Sequence, residues 1–257
     1  MKLAAVFIAC AVLLGACASV SVETRPQAPI SSEAITARFR NRLDYWRSYQ
    51  ASLRVRVESS KGRYSLRAVV VAELPDRIRL EAFNPFGQTM GVLLQDRGKS
   101  TLWIPSENVV YTATKTENLT GHFLGVPIPP ELFGYSLVAC IPPAYLERLD
   151  VYADASGTKA VAAQQQKDWS LSWTLQPGPL ALESLNVRQG NRKYAVNYEP
   201  AADLVLVEAP RKISFTAADW QMEVTVNQIR NAPELSNSVF SITYPDGLKK
   251  VDLDKGK

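Results

Sequence analysis

The sequence predicts a mainly β protein with a few helices, built as an incomplete antiparallel β-barrel of about eleven strands. Three observations support this fold class. Apolar and charged side chains alternate with a period of two in successive segments from residue 51 to 112 and from 159 to 229. Segments with helical periodicity precede the first series and separate it from the second. A long sheet of this kind curls into a partial barrel, and helices can close its open side.

The first seventeen residues resemble a lipoprotein signal peptide. Lys2 precedes an apolar run that ends at Leu14, which is shorter than the roughly 20 residues needed to span a bilayer. The segment ends in Leu-Leu-Gly-Ala-Cys, which resembles the lipobox of processed lipoproteins, so Cys17 is predicted to carry a lipid. The alternative is an ordinary secretory signal in which Cys17 has no role. Ala18, in place of Asp, indicates the periplasmic face of the outer membrane by the sorting rule of enteric bacteria.

Removal of residues 1–16 from the 257 leaves 241, a length that one domain with a large core can accommodate. We predict a lipidated N-terminus and tether over residues 17–30, the barrel over 31–250, and a flexible tail over 251–257. Cys140 is then the remaining ordinary thiol, so it cannot form an intrachain disulfide and is expected to be a small buried hydrophobe. The formal charge of +4 is too small to indicate nucleic-acid binding.

The barrel domain is predicted to begin with a helix from about residue 32 to 49, capped by Ser31 or Ser32. Six strands follow near residues 51–58, 64–70, 78–82, 90–94, 102–104 and 109–111. In the fourth strand, Met90, Val92 and Leu94 are taken as the apolar face. Two short helices begin at Thr116 and Pro130. Further strands are predicted near residues 159–165, 169–175, 182–188, 194–198, 203–215 and 222–229, and an irregular tail follows.

The sequence lacks the common motifs of catalysis and metal binding. His122 has no serine or cysteine nucleophile in a recognisable elbow, and no metal-ligand spacing is present. We therefore expect no enzymatic activity, no metal and no cofactor apart from the lipid on Cys17. The charged face of the first strands is interpreted as cross-strand ion pairs, in which Glu58, Glu73 and Glu81 accompany Arg54, Arg56, Arg67, Arg77 and Arg79.

Two motifs carry a resemblance to a known family. Asn84-Pro85-Phe86-Gly87 joins two strands, and Phe86 is a large apolar residue at a turn tip, where polar residues are expected. Residues 124–129 read Leu-Gly-Val-Pro-Ile-Pro and lie between the two short helices. The chain resembles the LolB-like outer-membrane lipoprotein receptors of the LolA/LolB superfamily, which have similar motifs at these two places. The resemblance covers residues 32–140, and the segment after about residue 230 is more similar to the end of LolA, which implies a divergent member.

The resemblance implies an apolar cavity for acyl chains beneath lid helices and an apolar loop that contacts the membrane. The loop residues are Pro85, Phe86 and Gly87, although Phe86 could instead fold back onto the barrel. The expected cavity lining is Phe39, Leu43, Trp46, Leu66, Val70, Ile78, Leu80, Met90 and Val92. The expected lid residues are Leu119, Phe123, Leu124, Ile128, Leu132 and Phe133. The same apolar residues could also pack into a solid core.

The resemblance also implies an activity and its partners. The chain would accept lipoproteins from a periplasmic LolA-like carrier and insert them into the inner leaflet of the outer membrane by non-covalent transfer of acyl chains. It would do so as a monomer and without nucleic acid. Two alternatives remain: a protein of the same fold that binds another lipid or hydrophobic ligand, and an envelope scaffold without a ligand.

Overall fold

The computed structural model describes residues 30–114, 116–165, 169–176, 178, 181–199 and 209–255. The predicted signal peptide, Cys17 and the tether up to residue 29 lie outside the described residues. Residues 203–208 of the predicted strand 203–215 also lie outside them.

Four α-helices are present in the described part of the chain. Their bounds are α1 Ser32–Trp46, α2 Thr116–Leu124, α3 Pro130–Leu137 and α4 Pro143–Leu146. The predicted starts of α2 and α3 are confirmed, whereas α4 was not predicted. No helix in the ranges that the structure describes has both the length and the apolar character needed to cross a membrane.

The described residues form fourteen strands. Their bounds are β1 Ser48–Ser59, β2 Gly62–Glu73, β3 Arg77–Phe83, β4 Thr89–Asp96, β5 Lys99–Ile104, β6 Val109–Thr112, β7 Asp150–Ala153, β8 Ala160–Gln165, β9 Trp169–Gln176, β10 Ala181–Gln189, β11 Arg192–Glu199, β12 Lys212–Ala217, β13 Gln221–Asn231 and β14 Lys249–Asp252.

All fourteen strands belong to one open sheet. The order is β14-β6-β5-β4-β3-β2-β1-β13-β12-β11-β10-β9-β8-β7, and β14 and β7 are therefore its edges. The pairings are antiparallel except for the parallel pairing of β14 with β6. The β1–β13 ladder joins the two halves of the chain into a single curled sheet around the helices. The predicted incomplete barrel closed by short helices is thus confirmed, and its sheet has fourteen strands in the described residues where about eleven were predicted.

The first helix is three residues shorter than predicted. Its N-cap is Ser31, whose Oγ accepts a hydrogen bond from the Ala34 N–H at 3.2 Å, as expected. The helix ends at Trp46, and Tyr49 belongs to β1, where it pairs with Ala72 and Asn231. The prediction of a helix to residue 49 was wrong because these strand pairings, which are distant in sequence, determine the conformation of residues 48–50.

The C-terminal segment is also more ordered than predicted. Residues 251 and 252 lie in β14, and the Leu253 N–H donates to the Thr112 carbonyl at 2.9 Å. The flexible tail predicted from residue 251 is therefore wrong as far as residue 255, beyond which the structure describes nothing. Upstream of β14, a short 3₁₀ helix, Asn237–Phe240, lies against the outer face of β3.

The hydrophobic core lies on the concave side of the sheet. Strand residues such as Leu53, Val70 and Trp173 point into it and are nearly inaccessible to solvent. Helix α1 buries Ile35 and Phe39 there, and α3 is buried along most of its length. The helices thus fill the barrel from inside, which places the candidate site around α3.

Candidate functional site

A small enclosed cavity lies beneath the helices, between α3 and β1–β4. Its volume is about 30 Å³, which is enough for one or two water molecules and not for an acyl chain. Three of the nine predicted lining residues, Leu66, Ile78 and Leu80, line it. The interior on this side of α3 is therefore largely packed.

A larger cavity lies on the other side of α3 and opens to solvent. Its volume is about 350 Å³, near the lower end of the range of roughly 300–1,000 Å³ for ligand pockets. One wall is formed by Pro75 and Gln95 at the β2–β3 turn and the end of β4. The opposite wall is formed by apolar residues of β9–β11 and by α4, namely Trp169, Leu171, Val187, Tyr194 and Tyr145. None of these residues is among the cavity residues predicted from the sequence.

Helix α3 separates the two cavities. Pro130 and Phe133 face the small one, and Leu132 and Tyr135 face the large one. Gly134 lies against the sheet so closely that a Cβ atom there would come within 2.8 Å of Ile78 Cδ1. Helix α3 is therefore closely packed against the sheet at Gly134.

Two hydrogen bonds and an aromatic stack hold α3 against the sheet. In one of the hydrogen bonds, the Tyr198 hydroxyl donates to Ser136 Oγ at 3.4 Å. The buried Tyr49 hydroxyl donates to the Gly134 carbonyl at 2.7 Å, and burial raises the pKa of this phenol well above its usual value. The ring of Phe133 stacks on Phe215, with centroids 5.8 Å apart. None of these contacts involves a charged group.

The remaining predicted cavity residues occupy different environments. Phe39, Trp46 and Val70 are buried in the main core, and Leu43 is half-buried against it. Met90 lines an open surface cleft together with Phe123. None of these five borders either of the two cavities beside α3.

Val92 lies on the opposite face of the sheet from the predicted one. It pairs with Glu81 and Trp103, whereas its neighbour Leu93 pairs with Leu80 and Leu102 on the concave side. Val92 is nevertheless buried, because the segment from residue 237 to 244 covers this outer face: the Trp103 and Tyr244 rings are 6.0 Å apart. The prediction of Val92 as a cavity residue was therefore wrong.

The predicted lid residues lie on or directly after α2 and on α3. Leu119 is fully buried in a second apolar cluster with Leu93 and Leu102. Phe123 packs on Gly91, where a Cβ atom would come within 2.8 Å of its ring. The others line a cavity: Leu124, Ile128 and Phe133 the small one, and Leu132 the large one.

The loop between β3 and β4 projects Phe86 into solvent. Its side chain is 90% exposed, which contradicts the alternative that it folds back onto the barrel. Asn84 organises the loop, because its Oδ1 accepts hydrogen bonds from the N–H groups of Phe86 at 2.9 Å and Gln88 at 3.0 Å. Gly87 has a φ of +86°, a conformation that side chains rarely adopt. The exposed phenyl ring is thus carried by a well-defined turn.

We expect Asn84→Ala to loosen this turn without unfolding the barrel. The variant removes the acceptor of two backbone hydrogen bonds, each contributing about 0.5–1.5 kcal/mol. The amide protons of Phe86 and Gln88 should then exchange at least about tenfold faster than in the parent chain, as measured by hydrogen-exchange NMR. Asn84→Asp keeps an acceptor oxygen and should preserve the slow exchange. Equal exchange rates in Asn84→Ala and the parent chain would contradict this account of the turn.

Neither His122 nor Cys140 shows the surroundings of a catalytic group. The His122 ring lies 4.3 Å from the Tyr111 ring, and partial burial and the nearby Lys61 ammonium lower its pKa, which favours the neutral imidazole. Burial raises the pKa of the Cys140 thiol to about 12, which makes it unreactive, and it is the buried residue that the sequence predicted. In the described ranges, no group of three or more His, Cys, Asp or Glu residues could hold a metal ion.

Comparison with solved structures identifies the fold. A lipoprotein-sorting protein domain from Vibrio parahaemolyticus, described as an outer-membrane one, matches with a TM-score of 0.57 and 14% identity, over 82% of this chain and 97% of that chain. A LolA superfamily protein from Nitrosomonas europaea matches with a TM-score of 0.56 and 12% identity, over 83% and 98%. A DUF1329 family protein from Desulfovibrio piger matches with a TM-score of 0.58 and 7% identity, over 82% and 95%.

At the sequence level, no family model and no curated protein matches the chain. The similarity to solved structures therefore establishes the fold, and it does so over most of both chains in each case. The fold expected from the sequence motifs is confirmed at this level: the chain has an incomplete β-barrel fold that it shares with these structures, one of which is a LolA superfamily protein.

Proposed function

We propose that this chain is an outer-membrane lipoprotein that accepts lipoproteins from a periplasmic LolA-like carrier and inserts them into the outer membrane. The observation that carries this proposal is Phe86, 90% exposed on an ordered turn of a barrel whose interior is apolar. An exposed phenyl ring in water gains roughly 1.5–3 kcal/mol when it is buried in an apolar phase. A bilayer supplies such a phase.

The two cavities suggest a route for the acyl chains. The large cavity and the Phe86 loop lie at opposite ends of β3. Pro75, in the wall of the cavity, precedes this strand, and the loop follows it. The small cavity lies between them, and Ala82 in its lining is two residues from Asn84. Displacement of α3 would open a continuous apolar path from the large cavity toward the loop. Acyl chains would then move to the membrane without an external energy source, because each step increases the burial of their CH₂ groups.

The predicted lipid on Cys17 would anchor the barrel near its target membrane. The tether up to residue 30 can span some tens of ångströms at about 3 Å per residue. The anchor would then position the Phe86 loop at the inner leaflet and would take no part in the transfer itself.

A second candidate function is the binding of another lipid without delivery. The observation that favours it is the volume of the large cavity, about 350 Å³, which suits one small apolar ligand better than several acyl chains. If this is the function, a single-chain lipid would occupy the large cavity beside α3 permanently.

Depletion of the protein in its native bacterium tests the proposed function. In a strain without a second receptor of this kind, we expect outer-membrane lipoproteins to accumulate in the periplasm on their carrier. Fractionation and immunoblotting of two or more lipoproteins would measure this. Normal sorting after depletion would rule out the receptor function. In that case, the purified protein would be analysed by mass spectrometry. A bound lipid would favour the second candidate function, lipid binding without delivery. A protein free of lipid would favour a scaffold.

A further inference from the structure

The outer face of β1–β3 carries several arginines, and most of them are neutralised by a neighbouring carboxylate. Arg56 pairs with Glu223 at 3.3 Å, and Arg79 pairs with Glu81 at 3.1 Å. Arg63 pairs with Glu58, and Arg77 pairs with Glu73. Arg77–Glu73 is a cross-strand ion pair of the kind expected from the sequence. The other pairs differ from the expectation, because Arg79 and Glu81 share one strand and neither Glu223 nor Arg63 was among the expected partners.

Arg54 and Arg67 are different. They are directly opposite each other in the β1–β2 ladder, both are exposed, and neither contacts a carboxylate in the part of the chain that the structure describes. Opposed residues on one sheet face have Cβ atoms about 4.5–5.5 Å apart, and like charges in this position destabilise the sheet. The guanidinium groups of Arg54 and Arg67 are thus held side by side without a neutralising carboxylate, whereas the neighbouring arginines form ion pairs.

These two arginines lie at the base of the Phe86 loop. The Arg67 guanidinium donates from Nη2 to the Pro85 carbonyl at 3.2 Å. A Cβ atom on Gly87 would be 3.9 Å from the same nitrogen. The uncompensated pair is therefore connected to the exposed phenyl ring through the backbone of a single turn.

We propose that Arg54 and Arg67 bind the phosphate groups of anionic phospholipids and thereby hold the Phe86 end of the barrel on the membrane. A guanidinium matches a phosphate with two parallel hydrogen bonds, and an anion between the two guanidiniums would remove their repulsion. An apolar residue that inserts beside cations that bind headgroups is the combination that interfacial membrane binding requires. The inference deepens the proposed function and rests on it for the identity of the membrane.

Vesicle binding tests this inference in the absence of carrier and lipoprotein. The mature chain, residues 17–257 with Cys17→Ala, would be sedimented with vesicles of phosphatidylethanolamine and phosphatidylglycerol, or with vesicles of phosphatidylcholine alone. We expect stronger binding to the anionic vesicles, and weaker binding as the salt concentration rises. Arg54→Gln/Arg67→Gln should lower the affinity for the anionic vesicles by roughly 25-fold, about fivefold for each arginine.

The matched control is Arg97→Asn/Lys99→Gln, which removes the same charge at the opposite end of β4 from the loop. It should bind anionic vesicles like the parent chain, and circular dichroism should show that both double variants are folded. Equal affinities of the two double variants would overturn the inference, as would equal binding of the parent chain to both kinds of vesicle. The inference would also be overturned if the parent chain did not bind vesicles and Arg54→Gln/Arg67→Gln impaired uptake from the carrier. That result would favour an acidic protein as the partner of the two arginines.

The outcomes separate this inference from the proposed function. If depletion leaves sorting intact while the arginine pair still determines vesicle binding, the receptor function fails alone. If sorting depends on the protein but vesicle binding does not depend on Arg54 and Arg67, the headgroup site fails alone.

Discussion

Phe86→Glu is expected to leave folding and lipoprotein uptake intact and to lower delivery into membranes by about 10- to 100-fold. The side chain is 90% exposed, so its replacement removes almost no contact within the protein. It does remove the burial of a phenyl ring in the bilayer, which contributes roughly 1.5–3 kcal/mol, and it adds a charge that membranes exclude. Since about 1.4 kcal/mol corresponds to a factor of ten, the expected loss follows from the ring alone.

A transfer assay with purified components would measure this effect. Lipoprotein bound to the carrier would be mixed with the receptor and with vesicles, and the lipoprotein that sediments with vesicles would be quantified over time. Uptake would be measured separately, without vesicles, as the lipoprotein that moves from carrier to receptor. We expect Phe86→Glu to impair only the first quantity.

Two control variants isolate the role of the apolar tip. Phe86→Leu keeps an apolar side chain and should deliver almost as well as the parent chain. Gln88→Glu adds the same charge at an exposed position of the same turn and keeps an acceptor for the Asn84 side-chain amide. It should affect delivery much less than Phe86→Glu does. Normal delivery by Phe86→Glu would exclude the loop from the mechanism.

The loop and the first three strands could be predicted from the sequence because their signals are local. One face of β1 and β2 is charged and exposed to solvent. The alternation of Leu53, Val55 and Val57 with Arg54 and Arg56 is therefore clear in the sequence. The turn at residues 84–87 has asparagine, proline and glycine where each is required. An exposed aromatic residue in such a turn stands out in the sequence alone.

The sequence does not show which face of β4 points into the barrel, because both of its faces are covered. Its sequence from residue 90 to 94 is apolar almost without interruption, so a period of two cannot tell Leu93 from Val92. The covering segment, residues 237–244, is about 150 residues away in sequence, and Arg79 holds it by donating to the carbonyls of Val239 and Ser241. No local pattern in β4 indicates that cover.

The large cavity could not be located from the sequence for a similar reason. The alternation of Trp169, Leu171 and Trp173 predicts β9 and its apolar face. It does not predict that this face lies across the barrel from Gln95 in β4, because that depends on the sheet order of all the intervening strands. That Arg54 lies directly opposite Arg67, with no carboxylate partner for either among the described residues, likewise becomes apparent only when the register of β1 and β2 is known.

The buried core next to the large cavity gives the largest expected effect on stability. Trp173 in β9 is completely buried, and its ring lies 5.8 Å from the ring of Tyr145 in α4. Trp173→Ala removes the largest fully buried side chain of the described residues and leaves an apolar void at a position that cannot collapse without moving the sheet. We expect the free energy of unfolding to fall by about 3–5 kcal/mol, measured by urea denaturation.

Trp169→Ala is the matched comparison, because Trp169 lies on the same face of β9 and also contacts Tyr145, with centroids 5.2 Å apart. It is only half-buried, and it borders the open cavity, so its removal mainly enlarges a space that already exists. We expect it to cost about half as much as Trp173→Ala or less, since the lost burial is partial. Equal destabilisation by the two variants would mean that the space beside α3 is part of the solid core. A clear difference would support a barrel in which Trp173 belongs to the solid core and Trp169 lines a space for a ligand.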